Sequence, residues 1–220
     1  MPVQPIIPVQ PVTTTQSRMN AGLRMLSNQM LTRVKLIVWI LCLLPVLRLL
    51  VGALTGQLGT NPIELITRST GTWTLVFLCC TLAITPLRQI TGWIWLLKLR
   101  RLLGLFVYFY VCLHLTTWVW FDQWFDINDM IKDVIKRPFI TIGMAAFLLL
   151  TPLALTSNKL AMKRLGRRWG LLHKLVYVIG ILAVVHYWWL VKKDLTQPII
   201  YALVIGALLG WRLWKRGQRG

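Results

Sequence analysis

Six long apolar segments constrain this chain more than any other feature of its sequence. A helix needs about 20 mostly apolar residues to cross a hydrocarbon layer roughly 30 Å thick. Short connections rich in Gly, Pro, Asn and charged residues separate the segments, which lie near residues 34–54, 71–87, 102–120, 139–156, 171–190 and 198–214. The chain is also 56% hydrophobic with 12 Trp, which argues against a soluble domain. The sequence therefore predicts an all-α integral membrane protein, built as a six-transmembrane-helix bundle.

The charged residues divide between the two ends of the predicted bundle. Lys and Arg accumulate on the cytoplasmic side of membrane proteins, and here they cluster before span one, between spans two and three, between spans four and five, and after span six. All six acidic residues fall in the other connections: Glu64, Asp122, Asp126, Asp129, Asp133 and Asp194. We therefore expect both termini to be cytoplasmic. The net charge of +19 is spread over helix ends beside membrane lipid, so no nucleic-acid partner is predicted.

The chain divides into a membrane domain and two tails. Residues 1–32 are predicted to form a disordered or interfacial tail, since they begin with a Pro, Val, Gln and Thr-rich stretch that lacks the features of a signal peptide. Residues 33–214 are predicted to form the six-helix domain, and residues 215–220 a basic cytoplasmic tail. The four cysteines lie inside spans without metal-binding spacing and are interpreted as buried thiols.

Two histidines lie at matching depths in spans that run in the same direction. His114 is in span three and His186 in span five, and histidine inside hydrocarbon requires a partner. One interpretation is a helix-packing hydrogen bond for each. The other is a pair of axial ligands, one on each side of a heme held between helices three and five. The shared depth favours the heme.

A second polar level is predicted nearer the cytoplasm. His173 precedes His186 by a helical rise of roughly 20 Å, and Arg100 and Arg101 occupy the same level on span three. One interpretation of His173 is a contact with a cytoplasmic heme, as a metal ligand, or with a flavin. The other is an ordinary interfacial histidine. The arginines either hold a cofactor, as a propionate clamp or an unusual axial partner, or extend toward the interface. At about 100° per residue, Arg100 lies closer than Arg101 to the helical face of His114. His173 needs a bend or a frayed turn to lie on the same face as His186.

Two further features allow two interpretations each. Arg48, well inside span one, either neutralises a heme propionate or extends to the outer interface. The outer loop spaces Asp122, Asp126, Asp129 and Asp133 by four, three and four residues, which predicts one acidic helical face. That face is either solvated or an electrostatic dock for a redox partner. A transporter or proton channel, and a cofactor-free scaffold, are the alternative functions; no intramembrane carboxylate supports the transporter.

Several segments resemble the MsrQ (YedZ) family, within the ferric reductase-like transmembrane superfamily. They are NPIELITRSTGTW (61–73), TLAITPLRQ (81–89), RRLLGLFVYFY followed by LHL (101–115), KRPFITIG (136–143) and LALTSNKLAMKRLGRRWGLLHKLVYVIGILAVVHYWWLVK (153–192). The resemblance implies a bacterial inner-membrane cytochrome b, with heme b and with FMN as a further cofactor. It also implies electron flow from the quinone pool or a cytoplasmic flavin reductase to MsrP, a periplasmic molybdopterin methionine sulfoxide reductase that repairs oxidised proteins. The alternative within the superfamily is a ferric reductase-type transmembrane heme protein with another acceptor.

This resemblance places catalysis in the partner subunit, so no catalytic residue is expected in this chain. Two-heme members of the superfamily carry two histidines on span three as well as on span five. Here Arg100 and Arg101 occupy the position of the second histidine on span three, so the sequence does not decide between one heme and two. His114, His186 and His173 are the expected metal ligands.

Overall fold

The structure is a computed structural model that describes residues 26–191 and 194–218. In this part of the chain every regular element is helical. The α-helices are α1 (Asn28–Leu54), α2 (Pro62–Thr91), α3 (Leu97–Thr117), α4 (Ile127–Lys136), α5 (Pro138–Leu155), α6 (Lys159–Leu165), α7 (Arg167–Leu172), α8 (Leu175–Leu190) and α9 (Thr196–Gly217). A 3-10 turn, Ile94–Leu96, precedes α3, and a π-helical turn, Trp118–Asp122, follows it.

The predicted six-helix bundle is confirmed, since six helical segments are long and apolar enough to cross a membrane. They comprise α1, α2, α3 with its flanking turns, α5, α7 continued by α8, and α9. Several helices extend beyond the apolar windows because polar residues at their ends still complete helical turns. Helix α2, for example, begins where Asn61 accepts a hydrogen bond from the Glu64 amide and ends at Gly92, whose φ of 75° is left-handed.

The predicted tails lie largely outside the described residues. Of the tail predicted over 1–32, residues 1–25 are not described, and α1 begins at Asn28 after a Ser27 cap. At the other end, α9 continues to Gly217, and residues 219–220 lie beyond the described part. Lys192 and Lys193 also lie outside the described residues.

The helices pack as two pairs with helices on their flanks. Helix α2 lies along α3, and α5 lies along α8, while α9 contacts both α2 and α8. The core runs between these helices, with Tyr110, Leu78 and Leu82 fully buried. Many Leu, Ile and Trp side chains remain exposed around the outside, as expected for surfaces in contact with lipid. The two pairs therefore hold their inward-facing side chains against each other.

Tyr110 of α3 fastens the first helix at its proline. Its hydroxyl donates to the Cys42 carbonyl at 2.8 Å and accepts from the Val46 amide at 3.2 Å. In an unbroken helix these two backbone groups would bond to each other, but Pro45 lies between them inside α1. A hydroxyl from another helix thus bridges two backbone groups on either side of the proline, in the way that polar side chains support helices near proline in membranes.

The single acidic face predicted for the outer loop is wrong. Asp126 is the cap of α4 and accepts from the Asn128 and Asp129 amides, while Asp122 ends the π-helical turn. Asp133, 12% exposed, points to the protein and accepts from Trp118 and Gln123. The spacing predicted the helical period correctly, but capping and tertiary hydrogen bonds took carboxylates away from the common face.

Candidate metal centre

The rings of His114 and His186 face each other between the two helix pairs. His114 is in the last turns of α3, and His186 lies four residues before the end of α8, Leu190. Their ring centroids are 6.2 Å apart and their planes make an angle of 81°. Two side chains separated by 72 positions of sequence thus meet at one level of the bundle.

The neighbouring helix α2 orients the His114 ring. Nδ1 of His114 lies 3.0 Å from the Thr67 carbonyl oxygen and 3.5 Å from the Thr70 hydroxyl. A carbonyl oxygen can only accept, so Nδ1 carries the proton and Nε2 keeps its lone pair. One turn after Thr67, Gly71 lets the ring approach the backbone, since a Cβ there would stand 3.1 Å from the ring carbon Cε1.

Helix α5 orients the His186 ring in the same manner. Nδ1 of His186 lies 2.6 Å from the Phe139 carbonyl oxygen, so this ring also has its proton on Nδ1. Gly143, one turn after Phe139, lies under the ring, and a Cβ there would be 2.8 Å from Cε1 and from Nδ1. In both cases the accepting carbonyl precedes its histidine by 47 residues. The two helix pairs therefore present the rings by equivalent contacts.

This geometry fits a metal bound between the two imidazoles. An imidazole nitrogen binds a metal at about 2.0–2.1 Å, so opposed ligands place their ring centroids roughly 6.3 Å apart. The observed 6.2 Å matches that separation. Metal-binding histidines commonly donate their other N–H to a backbone carbonyl, which fixes the tautomer, and both rings do so here. The residues present thus suit a heme with two axial histidines.

His173 lies apart from this pair, at the break between α7 and α8. The sequence required a bend or a frayed turn there, and a two-residue turn, His173 and Lys174, interrupts the helix. Its ring stacks on Trp169 with centroids 3.9 Å apart. Nδ1 contacts the Trp169 carbonyl at 3.0 Å, and Nε2 contacts the Ser157 hydroxyl at 3.5 Å. Both nitrogens therefore have protein neighbours, and no second histidine is available at this level.

The three predicted arginines lie in different surroundings. Arg100 is half-buried and within electrostatic range of His173, whereas the Arg101 side chain is exposed. Arg48 is exposed on α1, and the structure describes no hydrogen bond or ion pair for it in residues 26–191 and 194–218. The structure thus joins Arg100, but not Arg101, to the level of His173.

Sequence reasoning missed the residues that orient the two rings. Gly71 and Gly143 and the carbonyls of Thr67 and Phe139 carry no chemical signature of their own. The available signal was a repeated spacing. Each histidine follows the residue whose carbonyl it contacts by 47 positions, and a glycine follows that residue after one helical turn. Sequence reasoning also did not single out Arg212, whose guanidinium enters the bundle to donate to the Leu82 carbonyl.

Known proteins similar to this chain share one description. Residues 70–184 match the family "Ferric reductase like transmembrane component", a range that contains His114 and His173 and ends just before His186. The chain is 56% identical over 196 residues to the protein-methionine-sulfoxide reductase heme-binding subunit MsrQ of Herminiimonas arsenicoxydans, covering 88% of this chain and 90% of that protein. It is 53% identical over 200 residues to the MsrQ of Ralstonia nicotianae, covering 89% and 92%.

A third relative, the MsrQ of Azospira oryzae, is 53% identical over 188 residues, covering 84% of this chain and 81% of that protein. No solved structure matches the chain.

Proposed function

The chain belongs to the MsrQ family of protein-methionine-sulfoxide reductase heme-binding subunits, and on that premise we propose that it carries electrons across a membrane through a heme held by His114 and His186. It is a multi-pass membrane protein with six membrane-spanning helices. Its relatives are named as subunits that bind heme in a methionine sulfoxide reductase. The proposed acceptor is accordingly the catalytic subunit of that system, MsrP, a molybdopterin protein on the periplasmic side.

One observation carries the proposal: two imidazoles face each other with their Nδ1 protons donated to carbonyls of separate helices. That leaves both Nε2 lone pairs directed away from the backbone partners and able to bind iron. Helix-packing histidines would satisfy the same carbonyls but would not need opposed rings at a metal-spanning separation. The glycines beneath the rings allow the close approach.

Bound heme b would supply a one-electron carrier near the outer end of the bundle. The chain provides the ligands, fixes their tautomers and buries them between its helices. The acids that belong to spanning segments lie at their ends, Glu64 in the first turn of α2 and Asp122 at the end of the π-helical turn. This division of roles is that of an electron-transfer subunit whose partner reduces the sulfoxide. The proposed location is a bacterial inner membrane, with both termini cytoplasmic.

Electrons are proposed to enter at the level of His173 and Arg100, on the basic end of the bundle. The donor is the quinone pool or a cytoplasmic flavin reductase, and basic residues around this end favour anionic donors. The stacking of His173 on Trp169 and the absence of an opposed histidine support one heme instead of two. FMN remains a proposed second cofactor whose phosphate the same basic end would attract.

The reduced-minus-oxidised visible spectrum of the purified protein tests the proposal. We expect a low-spin b-type spectrum, with one heme per chain by pyridine hemochrome quantitation, that His114→Ala and His186→Ala each abolish. His173→Ala is the matched control and should retain it. A colourless wild type after heme supplementation, or a spectrum that survives both substitutions, would overturn the proposal.

Electron delivery is the second part of the test. In proteoliposomes, a quinol or a flavin reductase with its reductant is supplied on one side and the molybdopterin subunit with a methionine sulfoxide substrate on the other. Sulfoxide reduction should depend on both His114 and His186. If the sulfoxide is reduced equally well through His114→Ala, the proposed path is wrong.

A further inference from the structure

Arg212 of α9 brings a charged group into the bundle at its basic end. Nη2 donates to the Leu82 carbonyl at 2.7 Å and lies 3.3 Å from the Thr85 hydroxyl. The Leu82 carbonyl needs a donor from outside its helix, because the residue four positions later, Pro86, has no N–H. The guanidinium carbon also lies 4.9 Å from the centre of the Tyr177 ring. These contacts hold the guanidinium in place between α2, α8 and α9.

The remaining donors of this guanidinium lack acceptors. Nε and Nη1 of Arg212 are buried without a hydrogen-bond partner in the described structure, and so is Nε of Arg88. Arg88 lies one turn beyond Thr85 on α2, along the side that receives Arg212. Arg100 of α3 is within electrostatic range of Arg212. Arg212 and Arg88 thus carry buried N–H groups without acceptors, and Arg100 adds a positive charge near Arg212.

No acidic side chain of this chain neutralises that charge. All six carboxylates belong to the opposite end of the bundle, and the one that precedes α9, Asp194, is separated from Arg212 by about 27 Å of helix. A buried cation without a counter-charge is strongly destabilising in a protein within a membrane. The structure thus provides charge and hydrogen-bond donors for an anion that no side chain in residues 26–191 and 194–218 supplies.

We propose that Arg212, with Arg88 and Arg100, binds a phosphate-bearing anion between the basic ends of α2, α3 and α9. Guanidinium groups match phosphate oxygens in charge and geometry. Basic pockets between membrane helices on the cytoplasmic side are typical sites for anionic phospholipid headgroups. A soluble phosphate compound offers the same chemistry from the aqueous side. The inference is independent of the heme, whose ligands lie at the other level of the bundle.

Ligand-dependent thermal stability tests this site. Delipidated protein in a nonionic detergent is titrated separately with phosphatidylglycerol, with phosphatidylcholine, with inorganic phosphate and with FMN, and the unfolding midpoint is recorded. A rise with phosphatidylglycerol but not with phosphatidylcholine identifies a lipid headgroup. A rise with phosphate or FMN identifies a soluble source. No rise with any of the anionic probes, or an equal rise with both lipids, would overturn the proposal.

Matched variants assign the binding to these arginines. Arg212→Gln removes the charge while its amide can still donate to the Leu82 carbonyl, so the fold should persist. We expect binding of the effective anion to weaken about tenfold or more, as for loss of one charge-assisted contact. Arg216→Gln, an equal charge change at an exposed position one turn later on α9, should bind like the wild type.

Arg100→Gln provides a second variant that does not touch the Leu82 carbonyl, in case Arg212→Gln is poorly folded. It should also weaken binding, because it removes one of the clustered charges. The heme spectrum of Arg212→Gln should stay unchanged, which separates failure of this site from failure of the proposed electron-transfer function. Equal binding by the wild type, Arg212→Gln and Arg100→Gln would refute the site.

Discussion

His114 and His186 present their imidazoles to each other with planes 81° apart, nearly perpendicular. Each ring is oriented by a separate helix, because the Thr67 carbonyl that contacts Nδ1 of His114 belongs to α2 and the Phe139 carbonyl that contacts Nδ1 of His186 belongs to α5. The relative orientation of the two rings is thus fixed by backbone atoms of α2 and α5, before any cofactor is considered.

The ring angle predicts the electron paramagnetic resonance of the ferric protein. Perpendicular axial imidazoles leave two iron d orbitals close in energy, so the low-spin ferric signal should be strongly anisotropic, with a single large g value prominent. Parallel rings would give a well-resolved rhombic signal instead. The measurement is a low-temperature spectrum of the oxidised protein, and a rhombic signal would contradict the ring orientation found here.

Gly143→Ala should disturb the metal centre more than Gly71→Ala. A Cβ at Gly143 would come within 2.8 Å of two His186 ring atoms, whereas at Gly71 the nearest ring atom of His114 is 3.1 Å away. We expect Gly143→Ala to lower heme occupancy or shift the Soret band, and Gly71→Ala to have a smaller effect of the same kind. Gly206→Ala on α9 is the control, since no atom lies within 4 Å of its Cβ position. If all three variants bind heme equally, the close approach has no functional consequence.

Tyr110→Phe should destabilise the protein by about 1–3 kcal/mol. The substitution keeps the buried ring but leaves the Val46 amide and the Cys42 carbonyl without their bridging hydroxyl. Thermal unfolding in detergent measures the loss. The matched control is Tyr201→Phe, whose partly buried hydroxyl has no hydrogen bond to the residues that the structure describes. A midpoint unchanged in Tyr110→Phe but lowered in Tyr201→Phe would contradict the bridge.

The sequence could predict the features that depend on composition along one helix. Apolar segment length gave the six spans, and counting residues into spans three and five indicated that His114 and His186 share a level. The contacts between helices were beyond such reasoning, because they depend on the rotation of each helix about its axis. Asp133 illustrates this limit: its spacing placed it on an acidic face, yet it turns inward to Trp118 and Gln123.

That inward turn would make Asp133 a positioning residue for the proposed heme site. Its carboxylate accepts from Trp118, four residues after His114, and pairs with Arg137 at 2.9 Å. Arg137 precedes the first turn of α5, which carries the Phe139 carbonyl that orients His186. One carboxylate therefore connects the segments that fix both rings.

Asp133→Asn should consequently lower the temperature at which heme is lost, and alter the g anisotropy of the ferric signal. The neutral amide weakens the pair with Arg137 and cannot accept from all three donors in the same geometry, and hydrogen bonds to charged groups contribute about 1.5–3 kcal/mol each. Asp129→Asn is the control, because its pair with Lys132 is exposed on both sides and such pairs contribute little. A role limited to general stability would lower the unfolding temperature in Asp133→Asn and leave the g values unchanged. A change in both shows that the carboxylate acts on the ring orientation itself.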